Sequence, residues 1–404
     1  MTRMLSISRY GALLIFPIVA GTVAATTTYL ISAQFTGGIA ICLSATLALF
    51  LLIVYALARQ RSDSFAPKHP NFLAAAISGL SAAALTIAFA YPSLAELFIR
   101  VSESPSEAIV ESLRTVAIPL KSVDTGTGFV DLEPLRLVLK DARIVALGEA
   151  THGTSEFFRA KHRMLEFLVS ELGFEHFGME TNDKVGSAIN AYVRGGKVKP
   201  WSALYWPWAT VEVAGMIDWM RAYNLDPKCA RQIVFHGIDP GFGARDRAMA
   251  ENTSQILAAG GEESKIVLWA HNGHISNAAG QLGNYLKHEF GDQVYLCGFE
   301  FNRGAFTSRM GAIHTYEVGP ASCAYYAYAL AKLREPMLFL DFKGMSRNPD
   351  LYQWLAKDLS SHDFAELYAI FRLRPSWHTV RVSWLRLYDG LIFIENSTPA
   401  IGLK

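Results

Sequence analysis

Glu149 and His152 stand three positions apart in the segment Gly148-Glu149-Ala150-Thr151-His152-Gly153. His271 and His274 repeat that spacing in Trp269-Ala270-His271-Asn272-Gly273-His274. A glutamate beside a histidine fixes the ring's tautomer and raises its basicity, which is how a base that activates water is built. The second histidine pair supplies a partner, either a donor to a developing oxyanion or an acid for a leaving group. Arg159 and Lys161 follow shortly after His152, and each reads either as a solvated helix face or as a charge that offsets an oxyanion. Glu180 is a further carboxylate that can fix an imidazole or position water. The same residue types also suit zinc, which takes His2Glu sets, and no HExxH spacing is present to decide between the two chemistries.

These residues share a place in the pattern. Arg143-Ile144-Val145-Ala146-Leu147 reads as a strand ending in Gly148-Glu149, and 174–179 reads as a strand ending at Glu180. Strand 232–236 runs out at His236-Gly237-Ile238-Asp239, strand 265–270 ends at His271, and strand 293–299 is followed by Glu300. Helical periodicity fits 106–117, 131–140, 155–172, 182–194, 212–224, 246–258, 279–289 and 321–332, with later strands at 337–341, 365–371 and 390–395. Near-continuous apolar strands alternating with helices predict an α/β fold with a mostly parallel sheet flanked by helices. In such sheets the crevice lies beyond the carboxyl ends of the strands, where Glu149, Glu180, Asp239, His271 and Glu300 are expected to converge, with His152 three residues past the first. No GxGxxG, GxxxxGK[ST] or GxSxG is present, so dinucleotide, P-loop and serine-elbow sites find no support. Trp201, Tyr205, Trp206 and Trp208 form an aromatic cluster that reads as core packing or as a stacking wall for a sugar or macrocycle.

Composition divides the chain. Its 404 residues have a mean hydropathy of +0.20 and net charge +1. The only Asp, Glu, Lys and Arg residues in the first 100 positions are Arg3, Arg9, Arg59, Arg61, Asp63, Lys68, Glu96 and Arg100, so that block carries net +4 and the remainder net −3. Nothing here supplies a basic field for nucleic acid. Residues 10–58 and 69–95 lack formally charged side chains, and spans are expected at about 11–31, 38–58 and 72–94. The resulting expectation is a membrane module over 1–96, in contact with the lipid bilayer, and a globular domain over 97–404. Arg3, Arg9, Arg59, Arg61 and Lys68 place the N-terminus and the 59–70 loop in the cytoplasm, and three crossings then carry the globular domain to the extracytoplasmic side of the cytoplasmic membrane. Four cysteines without a CxxC give no disulfide framework and no catalytic thiol.

The ordered segments GEATHGTSEFFRAKHRMLEFLVSELGF, Glu180, RDRAMAENTSQIL, KIVLWAHNGHI and GFEFNRGAF together resemble the erythromycin esterase family. The resemblance covers about 142–310 and extends weakly, through ENSTPA, to about 400. Members of known activity open the macrolactone ring of erythromycin-type antibiotics by hydrolysis, with a histidine activating water directly. On this resemblance the GExxH glutamate and base fall on Glu149 and His152, the acidic strand-end residue on Glu180 and the HNxH pair on His271 and His274. The basic helix position falls on Lys161, where the esterases carry Arg. Two departures stand out. Glu180 and His271 are close in the chain, so the long helical cover of the soluble esterases is reduced, and membrane spans are no part of the esterase pattern.

The expected function is hydrolysis of a small amphipathic ester or lactone, macrolide-like on the resemblance, by histidine-activated water and without a cofactor. Two alternatives remain open on sequence grounds. One is a divalent-metal hydrolase of phosphorylated or glycan substrates, and the other a non-catalytic, membrane-tethered envelope or polysaccharide-assembly factor.

Overall fold

A computed structural model describes residues 104–229, 231–241, 243–310, 312–364 and 379–403. The expected spans, the boundary at 96/97 and the strand at 365–371 lie outside the described residues. Among the described residues no helix is long and apolar enough to cross a membrane.

The described elements are, in order, α1 (Glu107–Val116), β1 (Ile118–Pro119), α2 (Glu133–Leu139), β2 (Ile144–Leu147), α3 (Ser155–Leu172), β3 (His176–Met179), α4 (Asp183–Val193), α5 (Val211–Leu225) and β4 (Val234–Gly237). Next come α6 (Arg245–Gly260), β5 (Ile266–Trp269), α7 (Asn272–Ile275), α8 (Leu282–Phe290), β6 (Val294–Met310), β7 (Ala312–Val318), α9 (Tyr326–Ala331) and β8 (Met337–Asp341). The chain closes through α10 (Pro349–Leu355), β9 (Leu359–His362), β10 (Thr379–Val382), α11 (Trp384–Leu387) and β11 (Gly390–Ser397).

The main sheet has the order β1-β8-β11-β6-β2-β5-β3-β4, with β7 folded back on β6. From β11 to β4 every neighbour is parallel, whereas β8, β1 and β7 pair antiparallel. This is the expected α/β architecture, with a mixed rather than uniform sheet. Because successive side chains of a strand face opposite ways, Val145, Leu147, Val267 and Trp269 pack with Phe157, Phe158, Leu165 and Leu168 of α3 and Met216 and Ile217 of α5. Ile144, Ala146, Ile266 and Leu268 pack on the other face with Met249 and Leu257 of α6 and Leu282 and Leu286 of α8. Burial on both faces is why these strands lack polar alternation. Each such side chain contributes about 1.5–3 kcal/mol of burial energy.

Register brings the strand ends level. Leu147 lies opposite Trp269, and Trp269 lies opposite Met179, so Gly148-Glu149, Glu180 and Ala270-His271 emerge at one edge. Two glycines are required there by close approach. A Cβ on Gly153 would sit 1.9 Å from the Thr307 carbonyl oxygen, and one on Gly148 would sit 2.2 Å from Asn272 Oδ1.

The strand expected to end at 299 continues to Met310, because the β6–β7 hairpin supplies new pairing partners from Gly304 onward. Glu300 is therefore inside a strand and not beyond its end. The helix expected over 321–332 is confined to Tyr326–Ala331, preceded by a turn in which the Tyr325 N–H bonds to the Ser322 carbonyl.

Candidate active site

Glu149 is fully buried and shared between two partners. Its Oε1 lies 2.7 Å from His152 Nδ1, and its Oε2 accepts from Lys161 Nζ at 2.6 Å. Burial alone would raise the Glu149 carboxyl, but the Lys161 ammonium and the His152 hydrogen bond outweigh it and hold it below its ordinary value. Burial pulls Lys161 down to about 8 despite the Glu149 carboxylate beside it. The ammonium also lies 4.3 Å from the centre of the Trp269 ring, a cation–π contact within the core. His152 is drawn both ways: burial opposes its charge, while Glu149 and then Glu180 raise its pKa above 6.5.

The Glu149 contact decides which nitrogen of His152 is available. With Nδ1–H donated to the carboxylate, Nε2 is the basic atom, and the side chain is 14% exposed. The His152 ring is bounded by His271, at 4.8 Å between centroids, and by the edge of Trp208 at 5.6 Å.

Glu180 anchors a second layer. Its Oε2 accepts the His271 backbone N–H at 2.8 Å, and its Oε1 accepts from Arg245 Nη2 at 2.7 Å. Arg245 also binds both oxygens of Asp239. His274 Nδ1 is 2.8 Å from Asp246 Oδ1, and its Nε2 is 3.4 Å from Glu180 Oε1. Burial opposes charge on His274, yet Asp246 and Glu180 raise its pKa to about 10. Burial likewise works against the Glu180 carboxylate, and His274, His152 and Arg245 hold it far below its ordinary value.

His271 is buried and caps α7 through Nδ1, which accepts the Gly273 N–H at 3.3 Å. Burial lowers its pKa and favours the neutral ring, and an Nδ1 that accepts from Gly273 leaves the proton to Nε2. That nitrogen lies 3.3 Å from Asp363 Oδ1, without the alignment of a hydrogen bond.

Six of the seven sequence-predicted residues thus meet at one edge, in two layers: Glu149, His152, Lys161 and His271, then Glu180 and His274. Arg159 is the exception. It points to the surface and pairs with Asp124, because positions two apart on α3 do not share a face and Lys161 takes the inward one. Lys161 itself is not a solvated residue but a core cation. Sequence reasoning assigned no role to Arg245, Asp246 or Asp363. The first two open the RDRAMAENTSQIL segment at the start of a helix, where a basic–acidic pair was the available signal. Asp363 follows the short strand β9 with no local signature. Among the described residues no three His, Cys, Asp or Glu side chains converge as a metal set, and His152 Nδ1, His271 Nδ1 and both nitrogens of His274 already face protein partners.

The fold and site define an α/β protein with carboxylate-anchored histidines at the carboxyl ends of parallel strands. The erythromycin esterase family model matches residues 169–242 and 240–397, and the chain belongs to that family. It is 34% identical over 127 residues to erythromycin esterase type II of Escherichia coli, which is 30% of this chain and 29% of that protein. It is 37% identical over 93 residues to a Bacillus subtilis protein named "Putative hydrolase YbfO", covering 22% of this chain and 21% of the other. The matched stretches thus span less than a third of these relatives' lengths. Among solved structures, a succinoglycan biosynthesis protein superposes with a TM-score of 0.66 at 21% identity, over 73% of this chain and 98% of that one. A mutant of the erythromycin esterase EreC in its open conformation superposes with a TM-score of 0.55 at 12% identity, over 71% and 99%. These structural likenesses establish the shared fold.

Proposed function

We propose that the protein hydrolyses a carboxylic ester or lactone by direct attack of water, with His152 as the base. The observation that carries this reading is the Glu149–His152 bond at Nδ1, which leaves Nε2 as the basic atom of a side chain that is 14% exposed. Nε2 takes one proton from water as the oxygen attacks the carbonyl carbon. The tetrahedral intermediate then breaks its bond to the leaving oxygen, which receives that proton from His152. In this reading His271 Nε2–H donates to the oxyanion. Lys161 acts at one remove, by keeping Glu149 ionised. Glu180 fixes the backbone of His271 and, with Arg245, steadies His274.

Family membership and the relative named as an erythromycin esterase favour an amphipathic, macrolide-like substrate, whereas Trp208 is buried against Phe158 and Trp269 and belongs to the core. The uncharged runs of residues 10–58 and 69–95 support a tether to the cytoplasmic membrane with the esterase domain on its extracytoplasmic side. The test is turnover by the full chain in detergent against macrolides, simple lactones and open esters, with product mass read directly. Addition of one water to one substrate class, abolished in His152→Ala, is the expected result. Equal turnover by His152→Ala would refute the mechanism.

A further inference from the structure

His152 and His271 are in ring contact, yet one must be a base and the other a donor, and two neighbouring imidazoles have no intrinsic reason to divide those roles. Their surroundings divide them. Glu149 lies at the Nδ1 end of His152, so that ring exposes a bare Nε2. His271 is surrounded in the opposite sense, with a backbone N–H at Nδ1 and the Asp363 carboxylate at Nε2. Asp363 is held there by a separate buried device. The fully buried Glu300 accepts from Phe301 N, Ser361 Oγ, His362 N and His362 Nδ1, at 2.9, 2.5, 3.0 and 2.7 Å. That fastens the end of β9. The Phe364 N–H then bonds to the Ala150 carbonyl, beside His152. Asp363 stands between these two fastenings, 27% exposed, with its carboxylate against His271.

We propose that Asp363 is a positioning residue for the hydrolysis, an acceptor that keeps the His271 proton on Nε2 and so makes that ring the oxyanion donor and not a second base. Its kinetic consequence rests on the ester-hydrolase reading above, whereas its effect on the His271 tautomer does not. The Nε2–H faces a carboxylate that accepts it only loosely, and Nε2 is otherwise a buried polar atom without a hydrogen-bond partner. An incoming carbonyl oxygen therefore takes over the donor without breaking a strong bond. An aligned Asp363–His271 bond would compete with the substrate. A missing acceptor would let the proton move to Nδ1, where the long Gly273 contact is the only opposing force.

The test uses the full chain labelled with ¹⁵N-histidine, as wild type, Asp363→Ala and Asp363→Asn, each with its thermal midpoint recorded. Wild-type His271 is expected as the neutral Nε2–H tautomer, and Asp363→Ala as a mixture with Nδ1–H. In turnover, Asp363→Ala is expected to lose roughly 10–100-fold in kcat with little change in KM, in the range of a single oxyanion donor or less. Asparagine retains an acceptor oxygen, so Asp363→Asn is expected to restore the tautomer and most of kcat. A wild-type tautomer in Asp363→Ala overturns the proposal, and so does an Asn variant as defective as Ala. If the wild type turns over no ester, the hydrolase reading fails while the tautomer measurement still decides the role of Asp363.

Discussion

Two of the glutamate–histidine couples in the described region make the same contact: Glu149 Oε1 to His152 Nδ1 and Glu300 Oε1 to His362 Nδ1, both at 2.7 Å. What surrounds them differs. Glu300 meets its charge with four N–H and O–H donors, and His362 is stacked among Phe301, Phe364 and Tyr325. Glu149 takes only two side-chain bonds, one of them from a buried ammonium, and its histidine is partly exposed. A saturated carboxylate with an enclosed imidazole fastens backbone. An under-coordinated carboxylate with a cation behind it and a partly exposed imidazole in front is arranged to move a proton. The couple alone therefore does not define a catalytic pair; its remaining neighbours do.

The largest separation between the two couples is expected in rate. His152→Ala should lower kcat by about 10²–10⁴-fold, the usual worth of a general base, with a smaller loss in stability of about 1–3 kcal/mol because buried Glu149 keeps only its bond from Lys161. The buried ion pair behind it should respond in the opposite currency. Lys161→Met leaves Glu149 buried with His152 alone, and loss of one partner of such a pair costs about 3–5 kcal/mol. Urea denaturation of the variant checks this. A stability within error of wild type would mean that Glu149 does not depend on the ammonium.

His362→Ala probes the other couple. It removes a ring packed among three aromatics and one of four donors to Glu300, and about 3 kcal/mol of stability should go with it. Turnover per folded molecule should fall by about tenfold at most, since His362 reaches the cleft only through Asp363, well short of the usual loss of a general base. A rate loss as large as that of His152→Ala would erase the functional distinction between the couples.

The sequence made one couple readable and hid the other, for a physical reason. Glu149 and His152 are local, joined by one turn between a strand and a helix, and α3 was legible to its end residues because Ser155 opens an apolar periodicity that Gly173 closes in a left-handed conformation. Glu180, His271 and His274 were legible as residues that follow apolar runs. Glu300 was read by the same rule and misplaced, since its strand continues by pairing with β7, a partner that local periodicity does not reveal. Asp363 and His362 approach from some sixty positions along the chain from Glu300, and nothing in Ser360-Ser361-His362-Asp363 distinguishes them from a polar turn. Arg159 and Lys161 looked alike in composition. Only the packing of α3 on the sheet separates the surface cation from the buried one.

The pH profile sharpens the same contrast. His152 must be neutral to accept a proton, and Glu149 and Glu180 raise its pKa above 6.5 against burial. Activity should therefore rise with pH through a midpoint above 6.5. Glu149→Gln removes the largest raising influence and leaves burial, which favours the neutral ring, so the midpoint should move to lower pH even as kcat drops. Measurement of kcat/KM against pH for both proteins checks the sign. A midpoint that moves upward would mean that the limb belongs to another group.

The smallest effect is expected at Arg159, and its smallness is informative. Its guanidinium pairs with Asp124 at the protein surface, where both side chains are at least a third exposed. Exposed pairs of this kind contribute about 0–1 kcal/mol and are screened by salt. Arg159→Ala should leave kcat/KM within about twofold of wild type and lower stability by less than about 1 kcal/mol, a difference that fades at high ionic strength. Lys161, two positions on, buries its charge against Glu149 and Trp269 and should be insensitive to salt. Parallel urea titrations of Arg159→Ala and Lys161→Met at low and high salt separate the cases. If Arg159→Ala instead lost activity in a salt-dependent way, the surface cation would be acting on substrate approach, and the site would extend beyond the strand-end cluster along the exposed face of α3.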